Sequence, residues 1–129
     1  MAELSLIFIY GTLRCGGRAH HLMDGAEFVG DGAIAGRLVH VDQYPGLIHD
    51  ARKRVKGELY RVNQDQLKEL DRYEGCSESP PLYTRESVEV ELENSEKLTA
   101  GVYLFQQLQA HHEAIESGDW LEWFKHKKA

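Results

Sequence analysis

The sequence predicts an α+β fold, a small mixed β-barrel with flanking short helices. Three observations support this fold class: strand-like segments outnumber helical ones, turn residues separate them as in hairpins, and Gly30, Gly32 and Gly36 interrupt a β-rich stretch. Because glycine within strands marks bulges and barrel corners, we expect the sheet to bend strongly and close. A chain of 129 residues is the usual size of one domain, so residues 1–129 are assigned to a single domain.

Strands separated by turns are predicted as far as residue 62. Residues 4–10 are apolar and rich in β-branched side chains, and Gly11 ends this run, as expected for a buried strand. Residues 26–42 are rich in Val, Ile, Ala and Gly, which we interpret as two bent strands. The other elements predicted here are a loop at 14–17, a short helix at 18–23, a turn at Tyr44-Pro45-Gly46, a short strand at 47–48 and a strand at 55–62.

The best-defined helix opens the second half of the chain. In residues 64–73, Leu67 and Leu70 form one apolar stripe, Asn63 is a suitable N-cap and Gly75 suits the C-terminal cap. The elements predicted after it are a loop at 77–82, a half-buried strand in which Val88, Val90 and Leu92 alternate with glutamates, a strand at 97–105 and a short terminal helix anchored by Trp120 and Trp123.

Composition and charge exclude several classes of partner. The formal net charge is −6, and an acidic domain without a dense basic patch repels nucleic-acid backbones. The longest apolar stretch, residues 4–10, is far shorter than the roughly 20 residues that span a bilayer. The first residues do not resemble an export signal, so we expect a cytoplasmic protein with Cys15 and Cys76 as reduced thiols. The oligomeric state is left open.

Three kinds of site were considered and disfavoured. Residues 11–17 follow a strand and are glycine-rich, but the lysine of a phosphate-binding loop is missing. Seven histidines invite a metal site, yet His20-His21 and His111-His112 lack ligand spacing, and no Cys-x-x-Cys occurs. Cys15 in its glycine loop could be a nucleophile, but no histidine is placed as its base. We therefore do not expect a metal site.

Two segments remain as candidates for a site: Tyr10-Gly11-Thr12-Leu13-Arg14 at the end of the first strand, and the end of the long helix at Glu74. With these segments the sequence resembles the gamma-glutamylcyclotransferase-like family, and the resemblance covers nearly the whole chain. The motifs that carry it are Phe8-Ile9-Tyr10-Gly11-Thr12-Leu13-Arg14, Gly57-Glu58-Leu59-Tyr60, Leu70-Asp71-x-x-Glu74-Gly75, Tyr83-x-Arg85 and Val88-x-Val90, with Tyr44-Pro45-Gly46 and Ile115-x-Ser117-Gly118-Asp119-Trp120 similar to bacterial members.

The resemblance implies a β-barrel enzyme that cyclises a small γ-glutamyl compound to 5-oxoproline and releases an amine or amino acid. It implies that Tyr10, Gly11, Thr12 and Leu13 bind the substrate, that Glu74 is the general acid/base, and that no cofactor is used. Two further residues are candidate substrate contacts with alternatives open. Arg14 contacts the substrate or pairs on the surface, and Tyr83 lines the pocket or packs in the core. Asp71 is expected to brace the helix or loop rather than to catalyse.

The chemistry of ring closure agrees with a single catalytic carboxyl. The substrate's own α-amine attacks its γ-carbonyl, and oriented intramolecular attack reaches effective molarities of about 10⁵ M or more, so no enzyme nucleophile is needed. Glu74 at a helix C-terminus is disfavoured as an anion, which raises its pKa toward neutrality. The alternative is a binding module on the same fold that holds a small carboxylate without turnover. Residues 106–113 match no family motif, which leaves the leaving-group pocket undefined.

Overall fold

The computed structural model describes the backbone of residues 4–128 and the side chains of residues 4–126. The eight strands are β1 (Leu4–Ile9), β2 (Glu27–Ala35), β3 (Arg37–His40), β4 (Pro45–Ile48), β5 (Arg54–Asn63), β6 (Tyr83–Leu92), β7 (Lys97–Phe105) and β8 (Glu113–Ile115). The α-helices are α1 (Gln64–Tyr73) and α2 (Trp120–Lys128), and His20–Met23 form one turn of 3₁₀-helix. No helix among residues 4–128 combines the length and the apolar character needed to cross a bilayer.

Five strands close into a barrel in the order β1-β5-β2-β6-β7. Neighbouring strands are antiparallel except β1 and β7, which run parallel and meet at Ile7 and Gly101. The other three strands form a separate sheet in the order β4-β3-β8. The predicted α+β fold with a mixed barrel is therefore confirmed.

The strands bury apolar side chains on both faces. On β1, Phe8 packs in one core cluster with residues such as Leu59 and Val102, whereas its neighbours Ile7 and Ile9 pack in another. Leu67 and Leu70 of α1 belong to the second cluster, so the helix covers that face of the barrel. Apolar side chains on both faces explain why β1 is almost continuously hydrophobic rather than alternating.

The caps of α1 agree with the sequence prediction. The side chain of Asn63 accepts a hydrogen bond from the backbone N–H of Gln66 at 2.8 Å. Gly75 has φ +72°, a left-handed conformation that glycine adopts without steric cost. The helix therefore ends at Tyr73, with Glu74 as its C-cap residue.

Two parts of the secondary structure differ from the prediction. The turn assigned to Tyr44-Pro45-Gly46 is wrong for its last two residues, because β4 begins at Pro45 and pairs with β3. Proline is tolerated at the first residue of a strand, and a Cβ on Gly46 would lie 2.7 Å from the Phe105 ring. Strand β8 was not predicted, since it has only three residues and follows a polar run.

Candidate active site

A cavity opens where β1 ends, between the loop at residues 10–13 and the C-terminus of α1. Its empty volume is about 510 Å³, part of which is open to solvent. Most of its walls are aromatic or aliphatic, with Glu74 as the one carboxyl. The lining residues are Phe8, Ile9, Tyr10, Gly11, Thr12, Leu13, Tyr44, Pro45, Tyr73, Glu74, Leu82, Tyr83 and Tyr103. The two segments singled out in the sequence therefore meet at this cavity.

The loop after β1 is held by hydrogen bonds that use its carbonyl groups. The N–H of Arg14 donates to the Gly11 carbonyl at 3.1 Å, and the N–H of Ala19 donates to the Thr12 carbonyl at 2.9 Å. The N–H groups of residues 11, 12 and 13 have no acceptor among residues 4–128. Unpaired N–H groups beside a cavity can bind a carboxylate or an oxyanion.

Gly11 is required by packing against β4. A Cβ at this position would lie 2.9 Å from the Pro45 Cγ atom and 3.0 Å from its Cδ atom. Because both proline atoms belong to a ring that cannot swing away, any larger residue would push the loop and β4 apart. The glycine thus lets the loop lie directly against the wall that Pro45 contributes to the cavity.

Glu74 is the C-cap residue that follows α1, and its backbone N–H donates to the Leu70 carbonyl at 2.9 Å. The residue is half-buried, and its carboxyl forms no hydrogen bond or ion pair with any side chain that the structure describes. Desolvation by burial, followed by the negative charge of Asp71, raises the pKa of Glu74 to about 8. Such a carboxyl exchanges protons close to neutral pH, as a general acid/base must.

Asp71 lies one helical turn before Glu74 and is fully engaged elsewhere. Arg85 Nε donates to its Oδ1 atom at 2.9 Å and Arg85 Nη2 to its Oδ2 atom at 3.1 Å. The Tyr103 hydroxyl donates to Oδ1 at 2.7 Å. Asp71 therefore ties α1 to β6 and β7, the bracing role expected from the sequence, and acts on Glu74 only through its charge.

Tyrosine hydroxyls hold the cavity walls together. Tyr10 donates to the Tyr103 carbonyl at 2.7 Å, and Tyr83 donates to the Pro45 carbonyl. Burial raises the pKa of both Tyr10 and Tyr83 well above the usual value for tyrosine, so both remain neutral. At the rim, the hydroxyls of Thr12 and Tyr73 are hydrogen-bonded at 2.8 Å and bridge the loop to α1.

Arg14, a candidate substrate contact, is not among the residues that line this cavity. Its Nε donates to Glu58 at 3.2 Å, and its Nη1 donates to Asp119 at 3.0 Å. Glu58 also accepts from the Cys15 backbone N–H and from the Tyr60 hydroxyl, each at 2.9 Å. Two carboxylates therefore hold the guanidinium outside the cavity lining, in ion pairs that are largely buried rather than on the surface.

The other predicted site residues all line the cavity, and sequence reasoning missed several more. Tyr44 and Pro45 were interpreted as turn residues, Tyr73 as the end of the helix and Tyr103 as part of a strand. Of these residues, only Tyr103 had a usable signal in the sequence. Side chains alternate along a strand, so Tyr103 is expected on the opposite face of the sheet from Val102. Pro45 begins β4 of the separate sheet and Tyr44 lies in the loop just before it, and no local pattern reveals that this sheet packs beside β1.

Metal binding is not supported by the described part of the chain. Residues 4–126 contain no group of three or more His, Cys, Asp or Glu side chains arranged to hold an ion. The cavity wall itself supplies one carboxyl and five tyrosine rings. The donor set is suited to proton transfer and to hydrogen bonding.

Comparison with known proteins assigns the chain to a family. Residues 7–122 match the family described as gamma-glutamyl cyclotransferase, AIG2-like. The gamma-glutamylcyclotransferase family protein YtfP of Escherichia coli strain K12 is 33% identical over 119 residues, covering 90% of this chain and 96% of its own length. The gamma-glutamylaminecyclotransferase of Bos taurus is 36% identical over 104 residues, covering 70% of this chain and 59% of its own length.

Solved structures show the same fold. A crystal structure of an AIG2-like protein from Mus musculus superposes with a TM-score of 0.74 at 29% identity, covering 84% of this chain and 81% of that one. YkqA from Bacillus subtilis gives a TM-score of 0.80 at 25% identity, covering 98% of this chain and 43% of that one. The chain belongs to the gamma-glutamyl cyclotransferase, AIG2-like family.

Proposed function

We propose that this protein is a γ-glutamyl cyclotransferase that converts a γ-glutamyl amine or amino acid into 5-oxoproline and a free amine. Glu74 is proposed as its general acid/base, with the residues 10–13 loop and Tyr83 as substrate contacts. The observation that carries the proposal is that an unpaired, half-buried carboxyl and a loop with three unpaired N–H groups line the same cavity. Family membership and the names of the relatives point to the same reaction.

Ring closure begins with proton removal from the substrate. Ionised Glu74 takes one proton from the α-ammonium group, whose pKa is roughly 8. Because the pKa of Glu74 is also about 8, the transfer is nearly balanced at neutral pH. The freed amine then attacks the γ-carbonyl carbon and forms a tetrahedral intermediate with an anionic oxygen. The N–H groups of residues 11–13 are suited either to this oxyanion or to the substrate's α-carboxylate.

Release of the amine uses the proton that Glu74 has just taken. Protonated Glu74 donates to the departing nitrogen, and the bond between this nitrogen and the γ-carbon breaks as the carbonyl re-forms. The ring nitrogen loses its second proton, which leaves with the amine as ammonium, so Glu74 returns to its starting state. One carboxyl can serve both steps because a group with a pKa of about 8 can take a proton from the α-ammonium and then give it to the departing nitrogen.

The test is release of 5-oxoproline from a panel of γ-glutamyl amines and γ-glutamyl amino acids, measured by liquid chromatography with mass detection. We expect turnover of at least one substrate, and a loss of about 10²–10⁴-fold in kcat/KM for Glu74→Gln. Glu78→Gln is the matched control, since Glu78 lies four residues further on and outside the cavity lining. Binding of 5-oxoproline without turnover across the panel would instead support the non-catalytic binding module.

A further inference from the structure

Residues 14–20 lie behind the loop at residues 11–13 and bind its carbonyl groups. The three hydrogen bonds run from the Arg14 N–H to the Gly11 carbonyl at 3.1 Å, from the Ala19 N–H to the Thr12 carbonyl at 2.9 Å and from His20 Nδ1 to the Leu13 carbonyl at 2.8 Å. The imidazole nitrogen is the donor in the last of these, because a carbonyl can only accept. None of the three donor residues lines the cavity.

The direction of each carbonyl fixes the direction of the next N–H group. A trans peptide is planar, and its N–H points opposite to its C=O. The Gly11 carbonyl therefore orients the N–H of Thr12, and the Thr12 carbonyl orients the N–H of Leu13. Both N–H groups point away from residues 14–20.

Gly17 brings residues 14–20 into direct contact with this loop. A Cβ at position 17 would clash with the Thr12 carbonyl oxygen and lie 2.8 Å from the Thr12 carbonyl carbon. Both are backbone atoms, so they cannot move aside without turning the peptide that carries the Leu13 N–H. Any side chain at position 17 would therefore disturb that donor.

Arg14 anchors residues 14–20 to two other parts of the fold. Its Nε donates to Glu58 on β5 at 3.2 Å, and its Nη1 donates to Asp119, the residue before α2, at 3.0 Å. The side chains of Arg14, Glu58 and Asp119 are 13%, 6% and 17% exposed, so salt screens these ion pairs little. Glu58 also accepts from the Cys15 N–H at 2.9 Å, which holds the next residue of the segment.

We infer that Arg14 is a positioning residue for the N–H groups of Thr12 and Leu13. Its ion pairs fix residues 14–20, which hold the loop carbonyls and so direct the two N–H groups into the cavity. The inference rests on the proposed function, in which these N–H groups contact the substrate. It gives a task in that function to an arginine that does not line the cavity.

Replacing Arg14 tests the anchor. Arg14→Met removes both ion pairs, and we expect kcat/KM for 5-oxoproline release by the folded protein to fall by about 10–100-fold, as small displacements of catalytic groups do. The matched control is Arg37→Met on β3, which removes the ion pair with Asp50 at 2.8 Å and should keep kcat/KM within about twofold of wild type. Arg14→Lys keeps the charge without the planar fork and should recover part of the loss.

Loss of one carboxylate alone should have a smaller effect. In Glu58→Gln, Arg14 keeps its ion pair with Asp119, and the glutamine oxygen can still accept from the Cys15 N–H. We therefore expect kcat for this variant to stay within about tenfold of wild type.

Gly17→Ala tests the same geometry without changing any charge. Because the new methyl group displaces the Thr12 peptide, we expect kcat/KM to fall by about 100-fold. Gly30→Ala on β2 is the control, since a Cβ there would lie 3.5 Å from a Leu92 methyl carbon, an ordinary contact. This variant should keep kcat/KM within about twofold of wild type.

Binding of 5-oxoproline gives a readout that needs no turnover. In ¹⁵N-labelled wild-type protein, we expect the amide signals of Thr12 and Leu13 to shift on titration with 5-oxoproline, whose carboxylate and ring carbonyl accept hydrogen bonds. In Arg14→Met these two shifts should shrink, and Kd should rise by about tenfold or more. Arg37→Met should bind as wild type does, because a purely structural loss lowers the folded fraction without changing Kd of the folded protein.

The outcomes separate this inference from the proposed function. Wild-type kcat/KM and Kd in Arg14→Met and Gly17→Ala would overturn the inference while supporting cyclotransferase activity. Equal losses in Arg14→Met and Arg37→Met would also overturn it, because general destabilisation would then explain both. If the wild-type protein binds 5-oxoproline but turns over no member of the panel, the proposed function fails, and Kd of the variants still decides the inference. If it neither binds nor forms 5-oxoproline, both fail.

Discussion

Two glutamates lie on opposite sides of the loop that follows β1, and their surroundings differ completely. Glu58 on β5 is 5% exposed and accepts hydrogen bonds from Arg14, the Cys15 backbone and Tyr60. Glu74 at the end of α1 is half-buried and has no such donor among the described residues. The carboxylate of Glu58 therefore accepts several hydrogen bonds, whereas the carboxyl of Glu74 accepts none from the described residues.

The comparison shows that burial alone does not identify a catalytic acid. A buried carboxylate with three donors is stabilised as an anion and serves the structure. A carboxyl that faces a cavity without donors keeps a proton affinity near neutral pH, and that property is useful to proton transfer. The family motifs include both residues, so only the structure distinguishes their roles.

The largest expected difference between the two glutamates is in catalysis. Glu74→Gln should lower kcat/KM for 5-oxoproline release by about 10²–10⁴-fold, since the glutamine amide cannot exchange the proton. Glu58→Gln should retain kcat within about tenfold in the fraction that is folded, because Glu58 lies outside the cavity lining. Both predictions are checked by measuring kcat and KM for 5-oxoproline release by the two variants and correcting each rate for the fraction of folded protein. A larger kcat loss in the folded Glu58 variant would reverse the assignment.

Stability should show the opposite order. Glu58→Gln is expected to lower the free energy of unfolding by about 3–5 kcal/mol, because it leaves Arg14 with only one of its two carboxylates. Chemical denaturation monitored by tryptophan fluorescence measures this, with Glu89→Gln on β6 as an exposed control. Wild-type stability in Glu58→Gln would show that the three donors contribute little.

The pH dependence of stability sharpens the comparison further. The pKa of Glu74 is about 8 in the folded state against 4.5 for an ordinary glutamate, so the folded protein favours the protonated carboxyl. The protonated group stabilises the fold fully below about pH 4.5, and this contribution is lost as pH rises to about 8. Glu74→Gln removes the cost of ionisation and should become increasingly stabilising from pH 5 to 8.5. Denaturation midpoints at several pH values check this, and a constant difference would contradict the raised pKa.

The smallest expected effect comes from the charges behind Glu74. Asp71→Asn removes the negative charge that raises the pKa of Glu74, so the acidic limb of the kcat/KM profile should move to lower pH. Arg85→Met leaves Asp71 uncompensated and should move that limb to higher pH. Each change should alter the rate at pH 7 by less than about tenfold. A purely structural effect would instead lower kcat/KM at every pH without moving the limb.

Most of the barrel could be predicted from the sequence because each strand or helix is indicated by residues that lie close together in the chain. The apolar run of β1, the caps at Asn63 and Gly75 and the alternation around Val90 each reflect a single element and its nearest neighbours. The three-residue β8 has no comparable signal, since it is stabilised by pairing with β3 rather than by its own composition.

The site was predicted in part for the same reason. The segment from Tyr10 to Leu13 and the acid Glu74 lie in compact motifs, and the structure brings them to one cavity. Arg14 belongs to the same motif, but its direction is decided by Glu58 and by Asp119, which is 105 residues away in the chain. Contacts at that separation cannot be read from spacing, so the sequence left open whether Arg14 contacts the substrate or forms ion pairs.

Direct titration of the Glu74 carboxyl is the measurement that tests the account most closely. Protein labelled with ¹³C at glutamate side-chain carboxyls is titrated by NMR from pH 4 to 10, and Glu74→Gln identifies the resonance that belongs to residue 74. The account predicts a midpoint for Glu74 near 8. A midpoint near the ordinary glutamate value of 4.5 would contradict it, because the carboxyl would then be too weak a base to take the substrate's proton.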